Sequence, residues 1–442
     1  MKNTNTIIAF LLGLLALTAC HKDKEMKAKD PVVSNVETTV TETQARFSWQ
    51  VDFAGEFQTG VEVSQNEDMN DLRRVEGTIE GDKFAAVVDD LPAGTAFYYR
   101  FVVWNKFNSF EQEVKSLSTS PYTITTACVP AGSGTVTGEG TYTVGDTCVL
   151  RATANADYIF MNWTENGNQV STEVEYSFVV TGNTNIVANY IIVPTGAIKG
   201  LFTINESGDQ VFFSQGNLQY HIGDSIWRFV EHQYEGNGGV VNAPPSGNEW
   251  IGLFGWGTGD NPMNISENND DYSTFVDWGI NAISNGGNQT GMWRTLSSEE
   301  WWYLFNGRLN ASAKYGIGNV DGFEGLIVLP DDWICPMDLT FNSGMSNNSN
   351  NDWSHNTYTV AQWQQMEKAG AVLLPYNNCW LLSVGIGGGG YEPIGAVYWS
   401  YLESNGVATY LNFFSTILNT QNSRFDLYRN YRLAVRLVHD AD

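Results

Sequence analysis

From Pro31 to about Ser120 apolar and polar residues alternate with a period of two, broken by glycine-bearing turns. Ala45–Val51 (ARFSWQV) sets Ala45, Phe47, Trp49 and Val51 on one side, the pattern of a half-buried strand. Turn clusters at Gly55 and at Gly81-Asp82 fall at the spacing of a sandwich. From Pro121 to about Tyr190 the pattern becomes strand, glycine turn, strand over Gly132–Asp146, with Tyr142 and Val144 alternating. The runs Ala156–Gly167 and Asn183–Tyr190 complete that second block.

Beyond a short stretch, Val193–Gly200, the period weakens. Phe202, Ile204, Val211, Phe213, Leu218 and Tyr220 supply strand faces around a polar turn. Trp250, Trp256, Trp278 and Trp293 then stand in loop-like sequence, so their indoles must anchor long loops. Trp293–Arg308 predicts the clearest helix. Ser297 and Glu300 make a capping box, and Trp301, Leu304 and Phe305 share one face at i, i+3 and i+4. Leu326–Trp333 and Gly370–Pro375 read as buried strand ends, and Val397–Ser400 and Leu433–Val438 as strands bracketing the C-terminal stretch.

Composition narrows the function classes. A length of 442 residues suggests about three domains. Only 16% charged residues with 44 glycines point to β-rich structure with many turns. The balance of 49 acids against 23 bases argues against nucleic acid and against peripheral binding to anionic lipid. The five histidines are scattered without metal-ligand spacing, so no metal and no cofactor is expected. Glu299 and Glu300 are adjacent on a helix and point about 100° apart, so they read as a solvated neighbour and a cap rather than a catalytic pair. No serine or cysteine carries a nearby histidine signature of a nucleophile, and no catalytic residue is assigned. The acidic loop Gly259–Tyr272 offers oxygen ligands to Ca²⁺ but lacks EF-hand spacing, and reads as a solvated loop.

Between its bracketing strands the stretch Gly395–Val438 is aperiodic and rich in Asn, Tyr, Ser, Thr and Phe, the composition of adaptable binding surfaces. It carries Arg424, Arg429, Arg432 and Arg436 against Glu403 and Asp426, a locally basic segment on a chain of net charge −26. Tyr398, Trp399, Phe413, Val435 and Leu437 read as a buried frame. The candidate ligand contacts are Tyr401, Glu403, Asn405, Phe414, Thr416, Asn419, Gln421, Asn422, Arg424, Asp426, Tyr428 and Asn430.

Four resemblances add expectations. Lys2, the apolar run Ile7–Leu17 and the sequence Leu17-Thr18-Ala19-Cys20 resemble a bacterial lipoprotein signal, which implies cleavage before Cys20, lipidation of its thiol and an outer-membrane lipoprotein exposed at the cell surface. Leu91–Asn105 (LPAGTAFYYRFVVWN) resembles the fibronectin type III signature, with Phe97 where that family has a corner tyrosine, so the corner is expected to be held by packing alone. Gly132–Asp146, Trp163 and Asn183–Tyr190 resemble the internalin-B-type bacterial repeat, a β-grasp-like module. Arg294, Glu300, Trp301 and Tyr303 resemble the helix of the formylglycine-generating-enzyme-like (Fibrobacter major paralogous-type) branch of the C-type-lectin-like fold. Tyr398-Trp399-Ser400, Asn412-Phe413 and Arg432–Val438 resemble the variable region of its retroelement-diversified members. That likeness implies a fixed frame with varying contact positions.

The fold expected is therefore multidomain and mainly β. An Ig-like sandwich and a β-grasp-like repeat precede an α+β C-type-lectin-like domain. The boundaries are a signal at 1–19, a tether at 20–30, the sandwich at 31–120, the repeat at 121–192, a linker at 193–199 and the head at 200–442. Cys128 and Cys148 lie on segments expected to pair, so a disulfide closing a loop of about 20 residues is one reading and two separate thiols the other. Cys335 and Cys379 fall outside any matching motif of the enzymes. The expected partner is a protein or glycan ligand, bound without turnover. A structural surface or fimbrial component, and an enzyme of the formylglycine-generating class, remain as alternatives.

Overall fold

The structure is a computed structural model that describes residues 29–236, 249–264, 266, 268–348, 352–376, 396–401, 408–420 and 429–441. The chain is mainly β, with two α-helices among the described residues. None of its described helices is long and apolar enough to cross a membrane. It divides into two compact units, one of Met1–Ile124, Gly140–Cys148 and Phe178–Asn183, the other of Thr125–Glu139, Val149–Ser177 and Thr184–Asp442.

In the first unit, period-two patterning produces two facing sheets. One has the strand order Val32–Val40, Ala45–Asp52, Lys83–Val88, Thr78–Glu80. The other runs Arg73–Glu76, Gln58–Ser64, Ala96–Trp104, with Ser109–Glu111 and Lys115–Ser118 both pairing with the last. Ala45, Phe47 and Trp49 are fully buried, as their alternation predicts, and Val51 is half-buried. Phe47 packs 4.9 Å from Tyr99, and Trp49 packs 4.9 Å from Phe101, centroid to centroid. The corner differs from expectation. Phe97 is buried in the core, but the loop is also tied by Thr119, whose Oγ1 donates to the Pro92 carbonyl at 2.5 Å and accepts from the Thr95 N–H at 2.9 Å. A threonine hydroxyl just past the strand Lys115–Ser118 does the bonding that phenylalanine cannot.

Glu62 is buried on the middle strand of that sheet, directly opposite Arg74 on one side and Arg100 on the other. Arg100 Nε donates to it at 2.7 Å, and Arg74 binds it through both Nε and Nη2. Burial alone would raise its pKa, but the two guanidinium groups overcome that and hold the carboxyl below its ordinary value.

Residues 122–192 form two sheets. Five strands run in the order Gly140–Tyr142, Tyr122–Val129, Thr184–Ile192, Tyr158–Glu165, Asn168–Ser171, and three in the order Gly134–Thr137, Thr147–Ala154, Glu175–Val179. Trp163 is fully buried and donates its indole N–H to the Glu173 carbonyl at 2.9 Å. The disulfide reading of Cys128 and Cys148 is not met: both remain thiols. The physical reason is pairing. Tyr122–Val129, which carries Cys128, pairs with Gly140–Tyr142 and lies in the five-stranded sheet. Thr147–Ala154, which carries Cys148, pairs with Gly134–Thr137 in the other.

In the second unit the expected linker is packed in. Lys199 Nζ donates to the Asn155 and Ala156 carbonyls at 3.4 and 3.0 Å, and Ile198 joins the head core. Leu201 and Phe212 pack with Ile159 of the repeat. Beyond residue 200 the described residues form four small sheets around three apolar cores, with the helices α1 (Ser298–Asn306) and α2 (Val360–Lys368), the latter in a core of its own with Tyr358 and Leu373. The capping box of α1 forms as predicted: the Glu300 N–H donates to Ser297 Oγ at 3.1 Å, and the Ser297 N–H donates to Glu300 Oε2 at 2.7 Å. Its buried face is Ser298, Trp301, Leu304 and Phe305. Arg294 reaches both carboxyl oxygens of Glu300 at 2.8 Å and ties them to Asp440.

The first core gathers Phe202, Phe213, Trp301, Phe305, Tyr398, Phe413 and Val438. The second gathers Phe254, Trp256, Trp278, Trp293, Trp399, Tyr410, Val435 and Leu437. The strand Ala396–Ser400 runs between them and is buried along its whole length.

Candidate ligand-binding face

The frame expected from sequence is the frame found. Tyr398, Trp399, Phe413, Val435 and Leu437 are each fully buried. Ala396–Ser400 pairs antiparallel with Thr409–Phe413, and Tyr398 is bridged in parallel to Ala434. The Trp399 N–H donates to the Ala434 carbonyl at 3.0 Å. Three separated pieces of the C-terminal stretch are thus locked to one another by backbone bonds.

Of the predicted contact residues, Tyr401, Phe414, Thr416, Asn419 and Asn430 are described. Asn419 is exposed and the other four are half-buried. Glu403, Asn405, Gln421, Asn422, Arg424, Asp426 and Tyr428 lie outside the described residues, as do Cys20 and Cys379.

The described candidates fall into two groups. Tyr401 follows the Ser400↔Thr409 end of the strand pair, where its backbone N–H donates to Leu296 O at 3.1 Å and its carbonyl accepts from the Ser298 N–H at 3.0 Å. Its ring lies 4.8 Å from Phe275. Phe414 follows the Ala396↔Phe413 end, in a turn closed by its N–H to the Ile417 carbonyl at 2.8 Å, with Thr416 in that turn and Asn419 paired to Asn412 after it. At ~3.3 Å per residue the two ends are roughly 15–20 Å apart. Asn430 belongs with Tyr401, because the Trp256 N–H donates to the neighbouring Arg429 carbonyl at 2.9 Å while Trp256 Nε1 donates to Ser400 O at 3.3 Å.

The basic character of the segment is partly redirected. Arg436 does not contribute to a surface: it is 1% exposed. Its Nη2 donates to Gln233 Oε1 at 2.7 Å, and its Nη1 reaches Asn217 Oδ1 and Leu373 O at 3.4 Å each. Among the described residues its Nε has no hydrogen-bond partner. Burial pushes the guanidinium down to about 10, against the pull of Tyr398 and Glu367. Its even position in the closing strand, opposite in face to Val435 and Leu437, looked like an outward one; both faces are covered instead.

Arg429 and Arg432 stay half-buried at the head's edge. The Arg429 backbone N–H donates to Asn269 Oδ1 at 2.5 Å, and its Nη1 donates to the Tyr272 carbonyl at 3.1 Å. Its guanidinium lies 6.0 Å from the Trp256 ring. Sequence reasoning counted the charge of Arg429 but missed the loop that receives it, Trp256–Val276. The signal available was Trp256-Gly257, an indole followed by a turn. Gly257 takes φ +62°, and a side chain there would meet Phe275 Cα at 2.6 Å, so only glycine lets this turn close.

The acidic loop within it is a self-bonded turn. Asn268 caps the short helix Asn269–Tyr272, Asp271 accepts from Ser266 Oγ, and the buried Tyr272 hydroxyl donates to the Ser266 carbonyl at 3.0 Å. Among the described residues no group of three or more His, Cys, Asp or Glu is placed to hold a metal ion. Cys335 is half-buried, its thiol donates to the Leu339 carbonyl at 3.4 Å, and burial pushes its pKa up.

A family model described as the divergent InlB B-repeat domain matches residues 122–194. Among solved structures the chain is similar to the FN1–FN3 domains of chicken CNTN1, at 9% identity over 43% of this chain and 78% of that one, TM-score 0.18. It is similar to a two-domain fibronectin type III segment of chicken tenascin, at 14% identity over 36% and 90%, TM-score 0.17. A computationally redesigned β-sandwich protein aligns at 19% identity over 20% of this chain and 93% of that one, TM-score 0.18. No curated protein matches the chain. The protein is a mainly β, multidomain chain whose residues 122–194 match the divergent InlB B-repeat model.

Proposed function

We propose that the protein is a cell-envelope lipoprotein, anchored through Cys20 in the outer membrane, whose C-terminal C-type-lectin-like head binds a protein or glycan ligand at the cell surface. The observation that supports this reading is the separation of frame from face. Tyr398, Trp399, Phe413, Val435 and Leu437 are wholly buried, while Tyr401, Phe414, Thr416, Asn419 and Asn430 at the ends of the same segments keep solvent access. Side chains at such ends can change without disturbing either core, which is what a binding face on a fixed scaffold requires.

The contact set is Tyr401, Phe414, Thr416, Asn419 and Asn430 together with Glu403, Asn405, Gln421, Asn422, Arg424, Asp426 and Tyr428. The sandwich and the repeat serve as spacers between membrane and head. The likeness to retroelement-diversified proteins adds that the contact codons are variable. Adenine-rich codons at these positions, with a near-copy repeat and a reverse transcriptase gene beside them, would support diversification; ordinary codons without such neighbours would leave a binder of fixed specificity. The test of the binding function is a screen of the purified protein against surface proteins and oligosaccharides. Binding without turnover supports it, and turnover that alkylation of cysteine abolishes would favour the enzymatic class instead.

A further inference from the structure

The three-stranded sheet of Ile226–Phe229, Leu218–His221 and Trp250–Ile251 has two unlike faces. Leu218, Trp227, Phe229 and Ile251 enter the core of tryptophans. On the other face Gln219 stands opposite Arg228, and His221 opposite Trp250. The Arg228 guanidinium lies over the Trp250 ring at 3.6 Å, and its Nε donates to Oε1 of the buried Gln219 at 2.9 Å. Arg228 and Gln219 line a cleft of about 380 Å³, together with the exposed Glu231 and Glu235. The walls are fixed. Asn285 Oδ1 accepts from the Phe229 N–H at 2.7 Å, and the turn that carries the glutamates is anchored by the buried Gln233, whose Oε1 accepts from the Leu373 N–H at 2.9 Å. Both signs of charge line this cleft, yet among the described residues Arg228 forms no ion pair, and its Nη1 and Nη2 make no hydrogen bond.

Charge favours a ligand that carries both signs. A phosphate or sulfate on Arg228 would share the cleft with two carboxylates, and a simple cation beside the glutamates would share it with a guanidinium. A neutral ligand would leave all three groups without a counter-ion, and hydrogen bonds with one ionised partner are about twice as strong as neutral ones. A molecule with a carboxylate and an ammonium satisfies the guanidinium and the glutamates together. The planar fork of an arginine, with Nε already taken, still offers N–H groups that match the two oxygens of a carboxylate. The volume sits low in the range of roughly 300–1,000 Å³ for small-ligand sites, which suits an amino acid or dipeptide rather than a longer chain.

We infer that this cleft is a binding site for a small zwitterion of amino-acid to dipeptide size, its carboxylate on Arg228 and its ammonium on Glu231 and Glu235. The inference does not rest on the C-terminal face. Its test is calorimetric titration of the full chain, purified in detergent, with free amino acids and unblocked dipeptides, glycylglycine among them. The tightest probe is then compared with its N-acetyl and C-amide forms and with inorganic phosphate. The expected result is that an unblocked probe binds and that either blocking group weakens it at least tenfold; whether amino acids or dipeptides bind fixes the length of the site. Arg228→Gln should abolish the penalty for the C-amide form alone, and Glu231→Gln combined with Glu235→Gln the penalty for the N-acetyl form alone. Arg228→Gln also gives up the stack on Trp250, so thermal midpoints are recorded. The two glutamates are exposed and their side chains make no hydrogen bond among the described residues, so the double variant keeps the wild-type midpoint and decides the question by itself. Absence of binding by every unblocked probe would overturn the site. So would blocked forms that bind as tightly as the unblocked one, or binding of phosphate alone.

Discussion

Tyr398 and Trp399 are neighbours in one strand, yet they bond on opposite sides of it: the Tyr398 hydroxyl donates to the Pro375 carbonyl at 2.8 Å, and Trp399 Nε1 donates to the Phe254 carbonyl at 2.6 Å. One ring belongs to the core built on α1, the other to the core of tryptophans. This strand is the partition on which the C-terminal face is hung. Trp399→Ala should therefore cost roughly 3–5 kcal/mol of folding stability, and Tyr398→Phe, which loses only hydrogen bonds, about 1–2 kcal/mol. Urea unfolding followed by tryptophan fluorescence measures both, and equal costs would contradict the partition.

The cap of α1 gives a second prediction. Ser297→Ala removes the acceptor for the Glu300 N–H and should cost about 1 kcal/mol. Glu300→Ala should cost more, because Glu300 also accepts two bonds from Arg294, which in turn holds Asp440 of the closing strand. If the two substitutions prove equal by thermal unfolding, the Arg294 tie contributes nothing.

Acid should weaken the sandwich through Glu62. Its folded pKa lies below the ordinary value because the bonds from Arg74 and Arg100 outweigh burial. The stabilisation is fully present above the unfolded-state pKa of about 4.3 and is lost as pH falls through the lower folded value. Unfolding of the sandwich measured between about pH 5 and pH 2 should show this loss, and Glu62→Gln should flatten it while costing roughly 3–5 kcal/mol at neutral pH. A variant whose acid slope equals that of wild type would exclude Glu62 as its source.

The cysteine geometry is checked by alkylation. Protein unfolded without reductant should take up label at both Cys128 and Cys148, since the two lie on strands of different sheets and remain thiols. Mass spectrometry that found both protected until reduction would show a disulfide and a different strand pairing.

How much was legible in the chain follows from how many faces each element buries. Where one face is buried, as in Ala45–Asp52 and α1, alternation or helical spacing marks the core correctly. The frame residues were legible because β-branched and aromatic runs are dense there. The second helix was missed although Thr359 and Gln362 form a capping box ahead of Trp363 and Met366, both buried. Short and mean in apolar content, it shows its face only at those two positions. Arg436 counts toward the basic character of the segment in the sequence, where nothing local marks its burial, whereas Gln233, Asn217 and Leu373 surround it in the interior. The docking of Arg429 on Tyr272 and Trp256 joins residues more than 150 positions apart, and no local pattern encodes that.

The central claim, a ligand face carried on a buried frame, is tested most directly by the affinity of Tyr428→Ala and Arg424→Ala for the tightest-binding molecule found in the screen. Aromatic and arginine anchors carry on the order of 2 kcal/mol each at such surfaces, so each variant should bind about 30-fold more weakly. Its folding stability should stay within about 0.5 kcal/mol of wild type. Wild-type affinity in both variants would contradict the claim and place the binding surface elsewhere on the chain.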